Sequence, residues 1–249
     1  MEKNYLKLID NIAIWIEKIL QKSNTKGFVY GVSGGIDSAL ICAIASKFFA
    51  NKNLALRMDI ENAAKDIEDA NLVIKHFKVN YKIIDCLSIF NGFKQSLEFV
   101  ENKKEYQNAI MNLKARIRMN CLYYYAQINN YLVCGTSNAA ELYTGYFTKF
   151  GDSGSDFIPL ANLTKSDVYG CAKLLNVPQA IIDKAPSAGL IENQTDESEL
   201  KVTYKEIDQF LNNEPIDANA KKRILELHSI SDHKRSGALT PLPIGKIIK

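Results

Sequence analysis

The feature that most constrains the fold of this chain is a Ser/Gly turn between an apolar β-type run and a helical segment that is apolar on nearly all sides. Residues 28–32 have the sequence FVYGV, which is typical of a buried strand, and residues 39–50 predict a buried helix. A strand that leads through a tight turn into a buried helix is the first half of a β-α-β unit. We therefore expect a parallel sheet.

Apolar periodicity along the rest of the chain supports this expectation. The predicted strands cover residues 54–58, 79–84 and 131–134, and the predicted helices cover residues 6–20, 63–77 and 107–130. Strands that alternate with helices imply a parallel sheet with helical crossovers. No Pro-, Gly- or Ser-rich linker divides the 249 residues, so we expect a single domain over residues 1–249.

Composition limits the possible partners. The 31 Lys and Arg residues nearly balance the 28 Asp and Glu residues, and a net charge of +3 is too small to indicate a nucleic-acid binder. The amino-terminal segment interleaves charged with apolar residues, and no apolar run reaches membrane length, so we expect a cytoplasmic protein without membrane contact. Five cysteines without a C-x-x-C pair are expected to be reduced thiols.

Two segments have the spacing of a helix capping box, namely TKSD at residues 164–167 and TYKE at residues 203–206. Helices are expected to begin at both. Lys165 then occupies a first helical position, where the helix dipole disfavours a cation. An anionic partner close to Lys165 would account for this placement.

The run SGGIDS at residues 33–38 carries the clearest chemical signal. Gly34 and Gly35 let the backbone approach a ligand closely, and the start of a helix offers unpaired N–H groups. With two serine hydroxyls, this arrangement suits a pyrophosphate group, although it matches neither the Walker A loop nor the dinucleotide fingerprint. Asp37 beside phosphate is repulsive unless Mg²⁺ lies between them. The alternative is a flexible turn in which Asp or Ser is the helix N-cap.

The SGGIDS run after the first strand resembles the S-G-G-x-D-S motif of the PP-loop ATP pyrophosphatases. This resemblance implies an α/β fold with a doubly wound, Rossmann-like parallel sheet of about five strands flanked by helices. It also implies that the loop binds the phosphates of ATP. Enzymes of this family cleave ATP between its α and β phosphates and leave AMP on a substrate.

Further segments resemble the ammonia-dependent NAD synthetases in order and spacing, from Gly31 to Arg235. They are NLKARIRM at 112–119, GTSNAAE at 135–141, TGYFTKFGD at 144–152, LTK at 163–165 and HKR at 233–235. The resemblance implies a ligase that uses ATP to adenylate the nicotinate carboxylate of deamido-NAD, after which ammonia displaces AMP and gives NAD. It further implies a homodimer whose dinucleotide site lies at the subunit interface.

The same resemblance implies roles for individual residues. The residues assigned to ATP binding are Gly31, Val32, Ser33, Gly34, Gly35, Ile36, Asp37, Ser38, Thr136, Lys165 and Ser187. The residues assigned to deamido-NAD binding are Arg116, Lys149, Asp156, His233 and Lys234. Mg²⁺ is assigned to Asp37 and Glu141, and catalysis to Lys165 and to Asp152, near the ammonia site. Ser187 is a departure, since relatives often have Thr there, but the hydroxyl is kept.

Each of these assignments has a purely structural alternative. Glu141 suits the first turn of a helix, and Arg116 suits a structural arginine beside an apolar stripe. Residues 233–235 suit a solvated basic tail. Asp152 and Asp156 have Gly or Ser neighbours and could simply form turns.

Two other functions are open at this stage. A tRNA-modifying PP-loop enzyme should carry a basic RNA-binding extension, and thiolating members often use a reactive cysteine pair; the sequence indicates neither. A nucleotide sensor without turnover has no need of two metal carboxylates together with Lys165 and Asp152. A second domain with a nucleophilic cysteine is not evident either, so we expect free ammonia to be the nitrogen donor.

Overall fold

The computed structural model describes residues 3–97, 104–186 and 196–238. The strands are β1 (Gly27–Gly31), β2 (Asn53–Asp59), β3 (Tyr81–Asp85) and β4 (Tyr131–Val133). The helices are α1 (Tyr5–Ser23), α2 (Ile36–Phe48), α3 (Ala64–Phe77), α4 (Cys86–Ser96), α5 (Lys104–Asn129), α6 (Ala139–Thr144), α7 (Lys165–Leu174), α8 (Gln179–Ile182), α9 (Asp196–Leu200), α10 (Tyr204–Leu211), α11 (Ala218–Ile230) and α12 (Asp232–Arg235). Every strand and helix predicted from periodicity is present.

The four strands form one parallel sheet in the order β3-β2-β1-β4. β1 is central, and its Val29 lies opposite both Leu54 of β2 and Val133 of β4. The chain moves outward from β1 to β2 and β3 and then returns to the other side of β1, which makes the sheet doubly wound. The predicted fold class is confirmed.

Within the described ranges, the expected fifth strand is reduced to a single bridge. Cys134, directly after β4, pairs in parallel with Phe157. The Gly135 N–H donates to the Phe157 carbonyl at 2.8 Å, which continues the ladder by one hydrogen bond. Pro159 follows two residues later and has no N–H to donate, so the ladder cannot lengthen.

Alternate side chains of β1 enter two separate cores. Phe28 and Tyr30 are buried on the side of α1, α2, α3 and α7, whereas Val29 is buried on the side of α4 and α5. Helices therefore cover both faces of the sheet. α2 is apolar on nearly all sides because it contacts β1, α3 and α7 together. A third buried cluster joins α6, α10 and α11 around Ile207 and Ile224.

Local signals at two helix starts are confirmed. Thr164 and Asp167 form a reciprocal capping box at the start of α7, and Thr203 and Glu206 form one at the start of α10. The five cysteines are free thiols, as expected. Among the described helices, none is both long enough and apolar enough to cross a membrane.

Candidate active site

A cleft of about 630 Å³ opens at the carboxyl ends of β1 and β4. The strand order reverses between these two strands, and doubly wound sheets bind their ligands at such a point. Most of the residues predicted to form the site line this cleft. They are Gly31, Val32, Ser33, Gly35, Ile36, Asp37, Ser38, Thr136, Glu141, Asp152, Lys165 and Lys234. Ser187 lies outside the described residues.

The loop between β1 and α2 is packed closely against α3. Gly34 has a φ of +81°, and a Cβ at this position would lie 2.8 Å from the Cβ of Asp69 and 2.9 Å from the N of Ala70. Only glycine adopts this backbone conformation without strain, and only glycine leaves room for α3. The loop therefore depends on Gly34 for its path.

Serine side chains close the same loop from within. The hydroxyl of Ser38 donates to the carbonyl of Gly35 at 3.0 Å and lies 3.1 Å from the hydroxyl of Ser33. Gly35 is the N-cap of α2 and has no side-chain cap. The alternative in which Asp or Ser caps this helix is therefore wrong, and Asp37 is available for other contacts.

Two carboxylates meet at the end of the loop. The side chain of Asn138 donates to Asp37 at 2.9 Å and to Glu141 at 2.8 Å, so one buried amide holds both acids together. Burial and the neighbouring charge of Asp37 raise the pKa of Glu141 to about 8. Glu141 also completes a capping box with Asn138 at the start of α6, so its structural interpretation holds as well.

Lys165 provides the counter-charge. Its ammonium group lies 2.6 Å from Asp37 and 3.7 Å from Glu141, although the side chain is almost completely buried. Burial alone would lower the pKa of Lys165, but the two carboxylates outweigh this effect and raise the pKa. The anionic partner expected for Lys165 is thus present.

A second anion accounts for the position of Lys165 on its helix. The buried carboxylate of Asp208, on α10, accepts hydrogen bonds from the N–H of Lys165 at 2.9 Å and from the N–H of Ser166 at 2.8 Å. It also accepts from the Ser166 hydroxyl at 2.6 Å. Asp208 therefore offsets the positive end of the α7 dipole, and Lys165 can carry its charge there.

A basic corner borders the cleft beside Asp152. Asp152 is exposed in the cleft lining, desolvation raises its pKa, and its carboxylate accepts the Thr148 N–H at 2.9 Å. Lys234 donates to the carbonyls of Gly145 and Phe147 at 2.8 Å each. The interpretation of residues 233–235 as a solvated tail is therefore wrong for Lys234.

The other predicted dinucleotide contacts lie outside the cleft wall. Arg116 donates to the carbonyl of Lys149, whose own ammonium group contacts the carbonyl of His233. Asp156 accepts the Val133 N–H at 2.7 Å at the edge of the sheet. These residues form a surface beside the cleft rather than part of it.

Sequence reasoning missed several residues at the site. Asn138 could have been found, because Asn138 and Glu141 have capping-box spacing. Asp208 and Arg118 carry no local signal; Arg118 lines the cleft and donates to the Met58 carbonyl at 3.1 Å. Asp196, also in the cleft wall, accepts the Tyr204 hydroxyl at 2.8 Å, and its other oxygen is buried without a hydrogen-bond partner among the described residues.

The fold and the site define the class of protein. A doubly wound sheet whose first strand ends in S-G-G-x-D-S, with a lysine and two carboxylates at the end of that loop, is the arrangement of a PP-loop ATP pyrophosphatase. Within this class the chain belongs to the NAD synthase family, whose sequence profile matches residues 8–238.

Comparison with individual proteins agrees with this family. The chain is 63% identical to the NH(3)-dependent NAD(+) synthetase of Malacoplasma penetrans (strain HF-2), with 100% of each chain covered. Its structure is similar to that of NMN synthetase from Francisella tularensis, with a TM-score of 0.91, 40% identity and coverage of 97% of this chain and 100% of that one. The NH3-dependent NAD synthetase from Campylobacter jejuni gives a TM-score of 0.77 at 30% identity, with coverage of 96% and 100%.

Proposed function

We propose that this chain is an ammonia-dependent amidating ligase that converts deamido-NAD, ATP and ammonia into NAD, AMP and pyrophosphate. The observation that carries the proposal is the buried ammonium group of Lys165, which lies 2.6 Å from Asp37 at the end of the glycine loop. A fixed cation and two carboxylates beside the N–H groups at the start of α2 suit the charge changes of phosphate chemistry. The relatives named as NH(3)-dependent NAD(+) synthetases support the same reaction.

In the first step, an oxygen of the nicotinate carboxylate attacks the α-phosphorus of ATP. The bond from that phosphorus to the bridging oxygen breaks, and pyrophosphate leaves. The N–H groups at the start of α2 and the hydroxyls of Ser33 and Ser38 face the cleft in which the departing phosphates are held. Lys165 neutralises charge that develops on the leaving group.

The carboxylates of Asp37 and Glu141 fit a Mg²⁺ ion, which takes one or two carboxylates together with substrate phosphates. Burial and the charge of Asp37 raise the pKa of Glu141 to about 8, so the pair favours added positive charge. When bound, the ion supplies charge neutralisation at phosphate oxygens. Among the described residues, no group of three or more His, Cys, Asp or Glu side chains could hold a metal ion by itself.

In the second step, ammonia attacks the carbonyl carbon of the acyl-adenylate, and the bond to AMP breaks. The attacking nitrogen must lose a proton. Asp152 is suited to accept it, because its carboxylate lines the cleft and desolvation raises its pKa above the usual value, which makes it a stronger base. The Thr148 N–H holds the carboxylate in place at 2.9 Å.

We also propose a homodimer with the dinucleotide at its interface. Arg116, Lys149, Asp156 and His233 lie beside the cleft rather than in its wall, so a dinucleotide that contacts them must extend onto the outer surface. α5, which carries Arg116, also exposes apolar side chains nearer its carboxyl end, including Ile128. A second copy of the chain would cover this surface and the outer half of the substrate.

Nicotinate mononucleotide is a second candidate substrate. The observation that favours it is the TM-score of 0.91 to the NMN synthetase from Francisella tularensis, against 0.77 to the NAD synthetase from Campylobacter jejuni. Both candidates carry the same nicotinate carboxylate, so the proposed chemistry in the cleft is shared. They differ in the AMP half, which the mononucleotide lacks.

The test is an assay of purified protein with ATP and Mg²⁺. Deamido-NAD or nicotinate mononucleotide is the acceptor, and ammonium chloride or glutamine is the nitrogen donor. We expect NAD and AMP in equal amounts from deamido-NAD with ammonium, and little product with glutamine. A higher kcat/KM for the mononucleotide would favour the second candidate. Release of ADP instead of AMP, or equal rates with glutamine in ammonia-free solution, would contradict the proposal.

A further inference from the structure

A pair of thiols lies outside the proposed active site. Cys86 is the first residue of α4 and is fully buried, and Cys121 lies within α5 and is partly exposed. Their Sγ atoms are 3.7 Å apart. Neither residue lines the cleft, and the proposed amidation uses neither.

The geometry of this pair suits a bond between the two sulfurs. A disulfide has an S–S distance of about 2.05 Å, so the Sγ atoms must approach each other by roughly 1.6 Å. α4 and α5 already pack against each other. An approach of this size is within the range of side-chain rotation and does not require the helices to separate.

The five thiols differ in reactivity. The hydrogen bond between the two thiols lowers the pKa of Cys121 to about 7. Burial raises the pKa of Cys42 and Cys171 to about 12 and also raises the pKa of Cys134. Because the thiolate is the reactive species, Cys121 is the thiol that reacts at neutral pH.

We propose that Cys86 and Cys121 are an oxidisable pair in which Cys121 reacts with a peroxide and Cys86 completes a disulfide between α4 and α5. The Cys121 sulfur first attacks one peroxide oxygen, and the O–O bond breaks. A sulfenic acid forms on Cys121, and the other oxygen leaves with a proton from solvent. The Cys86 sulfur then attacks the sulfenic sulfur, the S–O bond breaks, and the hydroxyl leaves as water with the Cys86 proton. The thiols are oxidised and the peroxide is reduced.

The disulfide has a consequence for the fold. It joins two positions that are far apart in sequence, and a cross-link that closes a long loop stabilises the folded state. Because of this cross-link, we expect the oxidised protein to melt several degrees above the reduced protein. Arg118, one turn before Cys121 on α5, donates to the Met58 carbonyl at the cleft wall.

The experiment treats fully reduced protein with stoichiometric hydrogen peroxide, blocks the remaining thiols by alkylation, and measures intact mass and linked peptides. The wild-type chain should lose the mass of two hydrogen atoms and yield a Cys86–Cys121 peptide, and dithiothreitol should reverse both changes. The rate of disulfide formation should rise as the pH increases through about 7. Cys86→Ser should stop at oxidised Cys121, and Cys121→Ser should react slowly.

Cys171→Ser is the matched control, because it removes a buried thiol outside the pair and should leave the linked peptide unchanged. Each variant is compared with wild type by its melting temperature in the reduced state. If a serine variant does not fold, the peptide map of the oxidised wild type alone shows whether Cys86 and Cys121 form the disulfide. Absence of the Cys86–Cys121 peptide from oxidised wild type, or its replacement by links to other cysteines, would overturn the proposal.

Discussion

At the scale of single residues, Gly34 allows the sharpest test of the phosphate loop. Its φ of +81° lies in the left-handed region, and an added Cβ would lie 2.9 Å from the backbone N of Ala70. Gly34→Ala should therefore lower the free energy of unfolding by roughly 1–3 kcal/mol. Denaturant unfolding without nucleotide measures this change.

Gly35→Ala is the control for this substitution. Gly35 has a φ of −84°, and its added Cβ would approach only the Ser33 hydroxyl, at 3.4 Å. The free energy of unfolding should change by less than about 1 kcal/mol. Equal destabilisation by the two substitutions would show that Gly34 is not required by its backbone conformation.

The substitution Asp152→Asn should raise the stability of the protein and lower its activity. Burial raises the pKa of Asp152, so the folded state binds the proton more tightly than the unfolded state does. The corresponding stability is fully present below the unfolded pKa of the group and is lost as the pH rises through the folded pKa. Asp152→Asn should therefore melt above wild type at neutral pH, and the difference should shrink towards about pH 4. Thermal melts across this pH range measure it.

The activity of Asp152→Asn should change in the other direction. An amide cannot accept the proton of ammonia, so kcat should fall by about 100-fold or more. NAD formation at saturating ammonium measures this loss. A wild-type kcat in the variant would show that Asp152 does not take part in the reaction. Asp152 would then have only a structural role, in the turn that contains Thr148.

At the scale of elements, the start of α7 determines where Lys165 lies. Asp208→Ala removes three hydrogen bonds from this helix end and takes away the acceptor of the buried Lys165 N–H and of the Ser166 N–H. We expect kcat to fall by about tenfold or more, because Lys165 acts on the leaving group, while KM for deamido-NAD changes little. Asp208→Asn keeps an acceptor and should recover part of the loss.

Glu206→Ala is the control for Asp208→Ala, since Glu206 belongs to the same helix, α10, and forms its capping box with Thr203. It should lower the free energy of unfolding by about 1 kcal/mol and leave kcat unchanged. Steady-state kinetics at matched temperatures, well below both melting points, separates the two effects. If both variants lose kcat in proportion to their stability, Asp208 does not position Lys165.

The same helix shows which parts of the structure the sequence could predict. The start of α7 is predictable because Thr164 and Asp167 form a local signal three residues apart. The contacts of Lys165 are not predictable from the sequence, because Asp37 lies 128 positions away and Asp208 lies 43 positions away. An anionic partner for Lys165 could be predicted, but its identity depends on how the sheet and α10 pack.

The sheet shows a similar division. Strand and helix positions follow from periodicity, and the phosphate loop is predictable because its motif is contiguous. The fifth strand was expected from the resemblance, but Pro159 and the Gly/Ser-rich residues before it limit this position to one bridge. The sequence alone also allows Lys234 to belong to a solvated basic tail, because its partners are two backbone carbonyls, which have no signature in the sequence.

At the scale of the whole molecule, the exposed side of α5 provides a test of the proposed homodimer. Tyr124 and Ile128 lie one turn apart on this helix and are 61% and 59% exposed. Adjacent apolar side chains of this size mark interaction surfaces when they form a patch. Ile128→Lys should therefore convert a dimer into a monomer, which light scattering coupled to size-exclusion chromatography measures.

The kinetic consequence follows from where the substrate lies. Because the predicted contacts Arg116 and Asp156 lie beside the cleft on the side of α5, loss of the interface should raise KM for deamido-NAD by about tenfold or more and change KM for ATP little. Ile14→Lys on α1 is the matched control, because Ile14 is 54% exposed and lies on a different helix; it should keep the dimer and both constants. A wild-type chain that is monomeric at assay concentration and fully active would contradict the homodimer. A dimeric Ile128→Lys variant with wild-type kinetics would instead place the interface on another surface.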